Sequence, residues 1–305
     1  MDEALIACRA VHFVSVMLAF GAGAFRLYAV DGSDPGVLAL LDARLRNLLL
    51  VSAIVAFLSA LVLLPLVGST MAGSASAALD WNTISALLFN TRFGRVWRWH
   101  LLLAVLLVVA SAVRRVRPAY RVSLAALLLA SLGWVGHATI GEGPVALAHE
   151  INQSVHLLAG GVWLGGLVPL AALVIRAGQT RDEAWFIVLR KALPQFSHMG
   201  YVAVALVGVT GIVNTALLVG GVDGVIGTPY GRLLLVKISL FLLLVVVAVI
   251  NRLILAPWIG REAMPLTGTA ALMWTIGIEQ MLGLGILAVA SVLGTWPPAL
   301  HVHSH

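Results

Sequence analysis

Residues 154–166 read SVHLLAGGVWLGG, an apolar stretch with one imidazole, His156, close to its start. Residues 10–22 read AVHFVSVMLAFGA and follow the same pattern, with Val-His at the start and a glycine at the same later offset. A helix that crosses a bilayer takes about 20 mostly apolar residues, so both stretches are parts of candidate membrane spans. The fold depends on how many such spans the chain has and on the side from which each enters.

The composition of the whole chain points to the same class of protein. Hydrophobic residues make up 61% of the 305 positions, charged residues only 10%, and the mean hydropathy is +1.02. A soluble domain normally carries about a quarter charged residues. The basic residues behind the net charge of +6 stand singly between apolar runs. There they set membrane topology, and they do not form a nucleic-acid-binding surface.

The apolar runs predict an all-α membrane protein with eight transmembrane helices. Thirteen of the 19 Lys and Arg residues fall in one alternating set of connecting segments, which the positive-inside rule assigns to the cytoplasm. Both termini are therefore expected on the outer side. The eight runs are 4–25, 47–68, 97–113, 121–140, 150–175, 197–220, 231–254 and 271–294.

Two pairs of similar sequence motifs predict an internal repeat of four plus four spans. His12 and His156 open the first and fifth spans, while the motifs 91–95 (TRFGR) and 228–232 (TPYGR) precede the third and seventh. A spacing of four spans preserves orientation, as in parallel repeats related by an axis along the membrane normal. We therefore divide the chain into residues 1–145 and 146–305. Lys237 then falls where His100 stands in the first half.

The histidines predict a metal site in the outer half of the bundle. Eight of the nine lie on the outer side, where an ionisable group inside lipid is costly and usually faces a bundle interior. Imidazole suits Cu, Zn, Fe and Ni. A histidine hydrogen-bonded across helices is the alternative for each one taken alone. The candidate ligands are His12, His156, His137, His149 and His100.

Three further residues are candidate accessory ligands. Cys8 is four residues from His12 and shares its helical face, Glu142 lies in a tight turn after His137, and Glu279 lies within the eighth span. The tail HVHSH (301–305) is equally consistent with a chelator and with a disordered adventitious binder. The chain carries no nucleotide-binding loop, catalytic serine elbow or HExxH motif, so we do not expect an enzyme.

The chain resembles a known family over essentially its whole length, most strongly over residues 194–298. The stretch TPYGRLLLVKISLFLLLVVVAVINR (228–252), the following span with Glu279, the closing Trp296-Pro297-Pro298 and Phe196-Ser197 are similar to the CopD family of bacterial inner-membrane copper proteins. The resemblance implies a multi-pass protein of the inner membrane that takes up copper from the periplasm toward the cytoplasm. It also implies a periplasmic CopC-like copper-binding partner. Both termini would then be periplasmic.

Two functions fit this pattern of residues. A copper transporter would capture Cu(I) or Cu(II) at the outer histidines and pass it between the halves, past Glu279 and the span-five glycines. We expect His156 to be held against His12 by the repeat, with His137 or His149 completing the site. A haem b electron carrier is the alternative, with axial ligands from His12, His100, His137 and His156, although only His198 lies near the inner face.

Overall fold

The computed structural model describes residues 2–30, 35–136, 143–261 and 266–299, and this part of the chain consists of helices and short connections, without a strand. Two π-helical turns, Gly161–Gly165 and Asn251–Leu255, interrupt the long helices. The α-helices are α1 (Asp2–Tyr28), α2 (Pro35–Ala72), α3 (Trp81–Asn90), α4 (Arg92–Ala112), α5 (Pro118–Ser131), α6 (Gly143–Gly160), α7 (Gly166–Thr180), α8 (Glu183–Val219), α9 (Val222–Gly227), α10 (Pro229–Ile250), α11 (Ala256–Arg261) and α12 (Leu266–Leu293).

Seven helical segments in the described part are long and apolar enough to cross a membrane. Each contains or closely overlaps one of the predicted runs, and α6 and α7 form one such segment through their π-helical turn. The protein is therefore a multi-pass helical membrane protein. The seven segments are Glu3–Tyr28, Pro35–Ala72, Arg92–Ala112, Gly143–Thr180, Glu183–Val219, Pro229–Ile259 and Thr267–Leu293.

The predicted fourth span, 121–140, forms a helix that is too short to be counted among the membrane-crossing segments. Helix α5 has 14 residues, or roughly 21 Å, and continues only into a 3-10 turn at Leu132–Trp134. Gly133 in that turn packs directly on Ser154 of α6, so that a Cβ added there would meet Ser154 at 2.4 Å. Gly136 follows with φ of 84°, a left-handed conformation that glycine adopts without strain. Closely packed glycines thus shorten an apolar run whose hydropathy alone predicts a longer helix.

Contacts between α4, α5 and α6 define the direction of each. His100, two turns into α4, contacts Ser131 at the end of α5, so these two helices are antiparallel. Arg92 at the start of α4 forms an ion pair with the buried Glu150 near the start of α6. Helices α4 and α6 therefore begin at the same end of the bundle. We call it the histidine end, because His12, His100, His149 and His156 lie toward it, and we call the other end, where α1 finishes at Arg26, the arginine end.

The first and second parts of the chain meet where α1 crosses the α6–α7 segment. A Cβ on Gly21 would lie 2.2 Å from the carbonyl oxygen of Gly161, and one on Gly165 would lie 2.1 Å from that of Met17. Only glycine allows the two backbones to approach this closely, which is a common basis for helix association in membranes. The crossing joins the two main hydrophobic clusters, one around α1, α2, α4 and α5 and the other around α7 and α8.

The two TxxGR motifs adopt the same local structure. Thr91 caps α4 by accepting a hydrogen bond from the amide of Gly94 at 2.9 Å, and Thr228 caps α10 by accepting from Gly231 at 3.0 Å. A short helix precedes each cap. The first of these, α3, is itself capped by Asp80, and hydrogen bonds from the hydroxyl and amide of Thr83 hold the pKa of this exposed carboxyl below its usual value.

Candidate metal centre

Two imidazoles from α1 and α4 meet inside the bundle at the histidine end. The Nε2 atoms of His12 and His100 are 3.0 Å apart, and the two side chains are 1% and 0% exposed. Trp97 stacks on His100, with ring centroids 4.6 Å apart and planes 13° apart, and closes one side of the pair. A polar pair of this kind persists in an apolar core only when its hydrogen-bonding atoms are satisfied.

In each imidazole the second ring nitrogen, Nδ1, faces groups that can accept a hydrogen bond. His12 Nδ1 lies 3.1 Å from the carbonyl oxygen of Ala56 and 2.9 Å from Ser59 Oγ. His100 Nδ1 lies 2.7 Å from Ser131 Oγ. Because a carbonyl oxygen can only accept, Nδ1 of His12 carries the hydrogen and its Nε2 presents a lone pair toward His100.

The Ser131 hydroxyl leaves both tautomers of His100 available. It lies 2.7 Å from the carbonyl oxygen of Leu128, to which it can donate, so its lone pairs can accept a hydrogen from His100 Nδ1. In that tautomer both Nε2 lone pairs point into the same 3.0 Å gap and repel unless a cation binds to both of them. Metal-bound histidines nearly always donate their second ring N–H to an acceptor, and both of these side chains have one.

His156 contacts Thr210 and does not contact His12, so the pairing that the repeat predicts is not the contact that the structure makes. Its Nδ1 lies 2.8 Å from Thr210 Oγ1, and the backbone of Val207 is a further hydrogen-bond partner of the ring. Thr210 stands on α8 much as Ser59 stands on α2. The surroundings of the two histidines therefore correspond: in each, a hydroxyl from the next long helix faces Nδ1.

A cavity of about 1060 Å³ connects the two histidine environments. Its walls are mainly apolar, and residues of α8 and α10 form a large part of them. His149 and His156 line it from one face of α6, as their spacing predicts. Among the described lining residues there is no carboxylate. The polar and charged side chains that line it include Arg9, His12, His149, Gln153, His156, Asn214 and Lys237.

Of the remaining predicted residues, the two that the structure describes, Cys8 and Glu279, do not line the cavity. Cys8 does share the face of His12, since its Sγ lies 3.5 Å from the carbonyl oxygen of Ser59. Glu279 is buried in α12 outside the cavity lining and accepts a hydrogen bond from Asn251. His137, Glu142 and the HVHSH tail lie outside the described residues. Within the described part, no three His, Cys, Asp or Glu side chains are grouped to hold a metal ion.

Sequence reasoning missed the hydroxyl partners Ser59, Ser131 and Thr210. Serine and threonine are common in membrane helices, where they bond to their own backbone, and these three also do so. Nothing in the sequence separates the few that also face an imidazole. The ion pair between Arg92 and Glu150 was missed as well, although an acidic residue beside His149 in an apolar run could have indicated it.

The fold and the site together define a class of protein. It is a multi-pass helical protein with a buried imidazole pair beside a large apolar cavity. A family described as "Copper resistance protein D-like, N-terminal domain" matches residues 1–148, and one described as "Copper resistance protein D" matches residues 190–293. The chain is 33% identical over 297 residues to "Inner membrane protein YebZ" of Escherichia coli (strain K12), which covers 96% of this chain and 98% of that protein. The chain belongs to the copper resistance protein D (CopD) family.

Two other relatives carry copper in their names. "Copper resistance protein D" of Pseudomonas syringae pv. tomato is 29% identical over 312 residues, 98% of each chain. "Copper transport protein CutJ" of Bacillus subtilis (strain 168) is 27% identical over 309 residues, which is 97% of this chain and 53% of that protein. No solved structure matches the chain significantly.

Proposed function

We propose that the protein carries copper from the periplasm toward the cytoplasm across the bacterial inner membrane, and that the His12–His100 pair captures the ion. The observation that carries the proposal is the 3.0 Å separation of two Nε2 atoms whose Nδ1 partners can both accept a hydrogen. With ligand nitrogens about 2 Å from a bound ion, this separation suits an ion that both imidazoles bind from adjacent directions. The relatives named for copper resistance and copper transport support copper as the cargo.

Further ligands would come from the cavity. His156 offers its Nε2, and His149 lines the same space, so an ion released from the pair can be held next by the second histidine environment. His137 and Glu142 remain candidates by their position in the sequence, and Cys8 and Glu279 remain accessory candidates. A periplasmic CopC-like protein is the proposed source of the ion, because the histidine end is the proposed outer face.

We infer eight crossings with both termini periplasmic, α5 providing the short fourth one. The antiparallel arrangement of α4 and α5, and the start of α4 and α6 at the same end of the bundle, support a return of the chain through α5. Two related halves, 1–145 and 146–305, are supported by the matching Thr91 and Thr228 caps and by the matching Ser59 and Thr210 contacts.

Copper uptake by variants of the pair tests the proposal. We expect His12→Ala and His100→Ala to lower copper uptake and copper binding by more than about tenfold, since even residues behind a metal ligand change affinity about 10–100-fold. His198→Ala, an imidazole far along α8 from the cavity residues, is the matched control and should behave as the parent. Uptake is measured with purified protein in liposomes by metal analysis, after size-exclusion chromatography shows each variant folded. Parent-like uptake by both variants would rule out the pair as the capture site.

Haem b is the second candidate, because the large cavity presents the Nε2 of His156 together with two cations, Arg9 and Lys237, that could pair with propionates. His12 and His100 do not fit that role jointly, since axial nitrogens on opposite faces of a haem iron are about 4 Å apart with the macrocycle between them. The pair is closer and fully buried. An absorbance spectrum separates the two functions: a stoichiometric Soret band that His156→Ala abolishes would favour haem.

A further inference from the structure

A second, smaller pocket lies at the arginine end of the first four-helix group. It has a volume of about 270 Å³ and lies between the end of α1, the start of α2, the α4–α5 connection and the start of α5. Apolar residues such as Leu45, Leu49 and Val122 form part of its wall. Its charged lining consists of Arg26, Asp42, Arg46, Arg114 and Arg121.

The positive charges in this pocket exceed the negative charge that the described residues supply. Arg26 forms a two-point ion pair with Asp42, the one carboxylate among the described lining residues. Arg121 is 8% exposed, and its Nε and Nη2 donate to the carbonyl oxygens of Ala110 and Val113 at 2.9 Å each. It has no carboxylate partner there, and it lies close enough to Arg46 for the two charges to repel.

Single arginines at the inner ends of membrane helices are usually topology signals that extend into the headgroup region. Four arginines from three helices and one connection around one small pocket differ from that pattern, and one of them is buried. A buried charge is normally paired, so the arrangement points to an anion supplied from outside the chain. Guanidinium groups approaching from several directions match the tetrahedral oxygens of phosphate better than a planar carboxylate.

We propose that this pocket binds a phosphate group, carried either by the headgroup of an anionic phospholipid or by free phosphate. The pocket is below the usual range for drug-sized ligands, about 300–1,000 Å³, so it suits a phosphate with its neighbouring glycerol and not a larger molecule. Basic pockets between membrane helices on the cytoplasmic side bind lipid headgroups in this way. The site is independent of copper capture, and its charge repels a metal cation that approaches along the axis of the first four-helix group.

The test uses the full-length protein and the double variant Arg46→Gln/Arg114→Gln. Arg115→Gln is the control for Arg114, because it removes one positive charge from the same α4–α5 connection and Arg115 does not line the pocket. In one arm, native mass spectrometry measures binding of phosphatidylglycerol against phosphatidylcholine in detergent. In the other, the thermal midpoint of delipidated protein is measured in sodium phosphate and in sodium chloride of equal ionic strength.

We expect the double variant to bind phosphatidylglycerol roughly 30-fold more weakly than the parent, since each basic residue near a membrane surface contributes a factor of about five. Arg115→Gln should match the parent. If phosphate instead raises the midpoint of the parent but not of the double variant, and lipid affinity is unchanged, the ligand is free phosphate. Equal behaviour of all three proteins in both arms overturns the proposal. If the double variant does not fold, Arg46→Gln alone replaces it, with an expected fivefold loss of phosphatidylglycerol binding. Without ligand this single variant should be at least as stable as the parent, because the repulsion between Arg46 and Arg121 is removed.

Discussion

At the scale of single residues, the least expected feature is a pair of imidazoles facing each other inside an apolar bundle. Two neutral histidines share one hydrogen across the 3.0 Å gap between their Nε2 atoms. When His100 carries its hydrogen on Nδ1 instead, the hydroxyl of Ser131 can accept it, and no hydrogen lies in the gap. The pair can therefore exchange its shared hydrogen for a metal ion without leaving a buried ring nitrogen unsatisfied. That exchange depends on the serine as much as on the histidines.

Ser131→Ala tests this dependence. Without the hydroxyl, His100 has no acceptor for Nδ1–H and keeps its hydrogen on Nε2, where it competes with the ion. We expect copper affinity to fall about tenfold, within the 10–100-fold range for residues behind metal ligands. Ser111→Ala is the control, because Ser111 is also buried but bonds only to Leu107 of its own helix. Competition with a copper-binding dye measures both affinities, and equal losses in the two variants would contradict the tautomer argument.

The depth of each histidine could be predicted from sequence, but its partner could not. Hydropathy and charge place His12, His100 and His156 near one end of their helices, because both follow from position along the chain. Which residues face each other depends on the rotation of each helix about its axis, at about 100° per residue. Spans that are apolar on all sides carry little periodic signal for that rotation. The sequence therefore pairs His12 with His156, whereas the structure pairs it with His100.

At the scale of helices, the glycines that occupy the same offset in the two opening stretches pack against each other. Gly21 and Gly165 let α1 cross the α6–α7 segment with backbone in direct contact. The sequence shows both glycines, but their mutual contact follows only from the three-dimensional arrangement. The same limit applies to α5, since an apolar run is read as a long helix while Gly133 and Gly136 end it early.

Gly165→Ala should destabilise the protein, because its new methyl group would overlap the backbone of Met17 and overpacking of this kind costs about 1–3 kcal/mol. Gly277→Ala on α12 is the control, since a Cβ there meets nothing within 4 Å. Replacing a helical glycine by alanine in open space is neutral or stabilising by up to about 1 kcal/mol. Thermal unfolding in detergent measures both, and a lower midpoint for Gly277→Ala than for Gly165→Ala would refute the close crossing.

At the scale of the whole molecule, the ends of the bundle have different chemistry. One end holds paired imidazoles and the large cavity, and the other holds the arginine pocket. The number of crossings decides whether the two termini lie on the same side of the membrane. Seven helices are long enough to span by themselves, and an odd count would put the termini on opposite sides. The short α5 therefore determines the sidedness of the N-terminal and C-terminal parts relative to each other.

Cysteine labelling on either side of α5 tests whether it crosses. In a Cys8→Ser background, Arg115→Cys precedes α5 and Val145→Cys follows it, and both parent residues are exposed. We expect a membrane-impermeant maleimide to label position 145 in intact spheroplasts and to label position 115 only after permeabilisation, because α4 and α6 begin at the same end of the bundle and α5 runs antiparallel to α4. Glu3→Cys, in the first turn of α1, should label together with position 145. Labelling of positions 115 and 145 from the same side would mean that α5 does not cross the membrane. The histidine end could then face the periplasm in only one half of the chain.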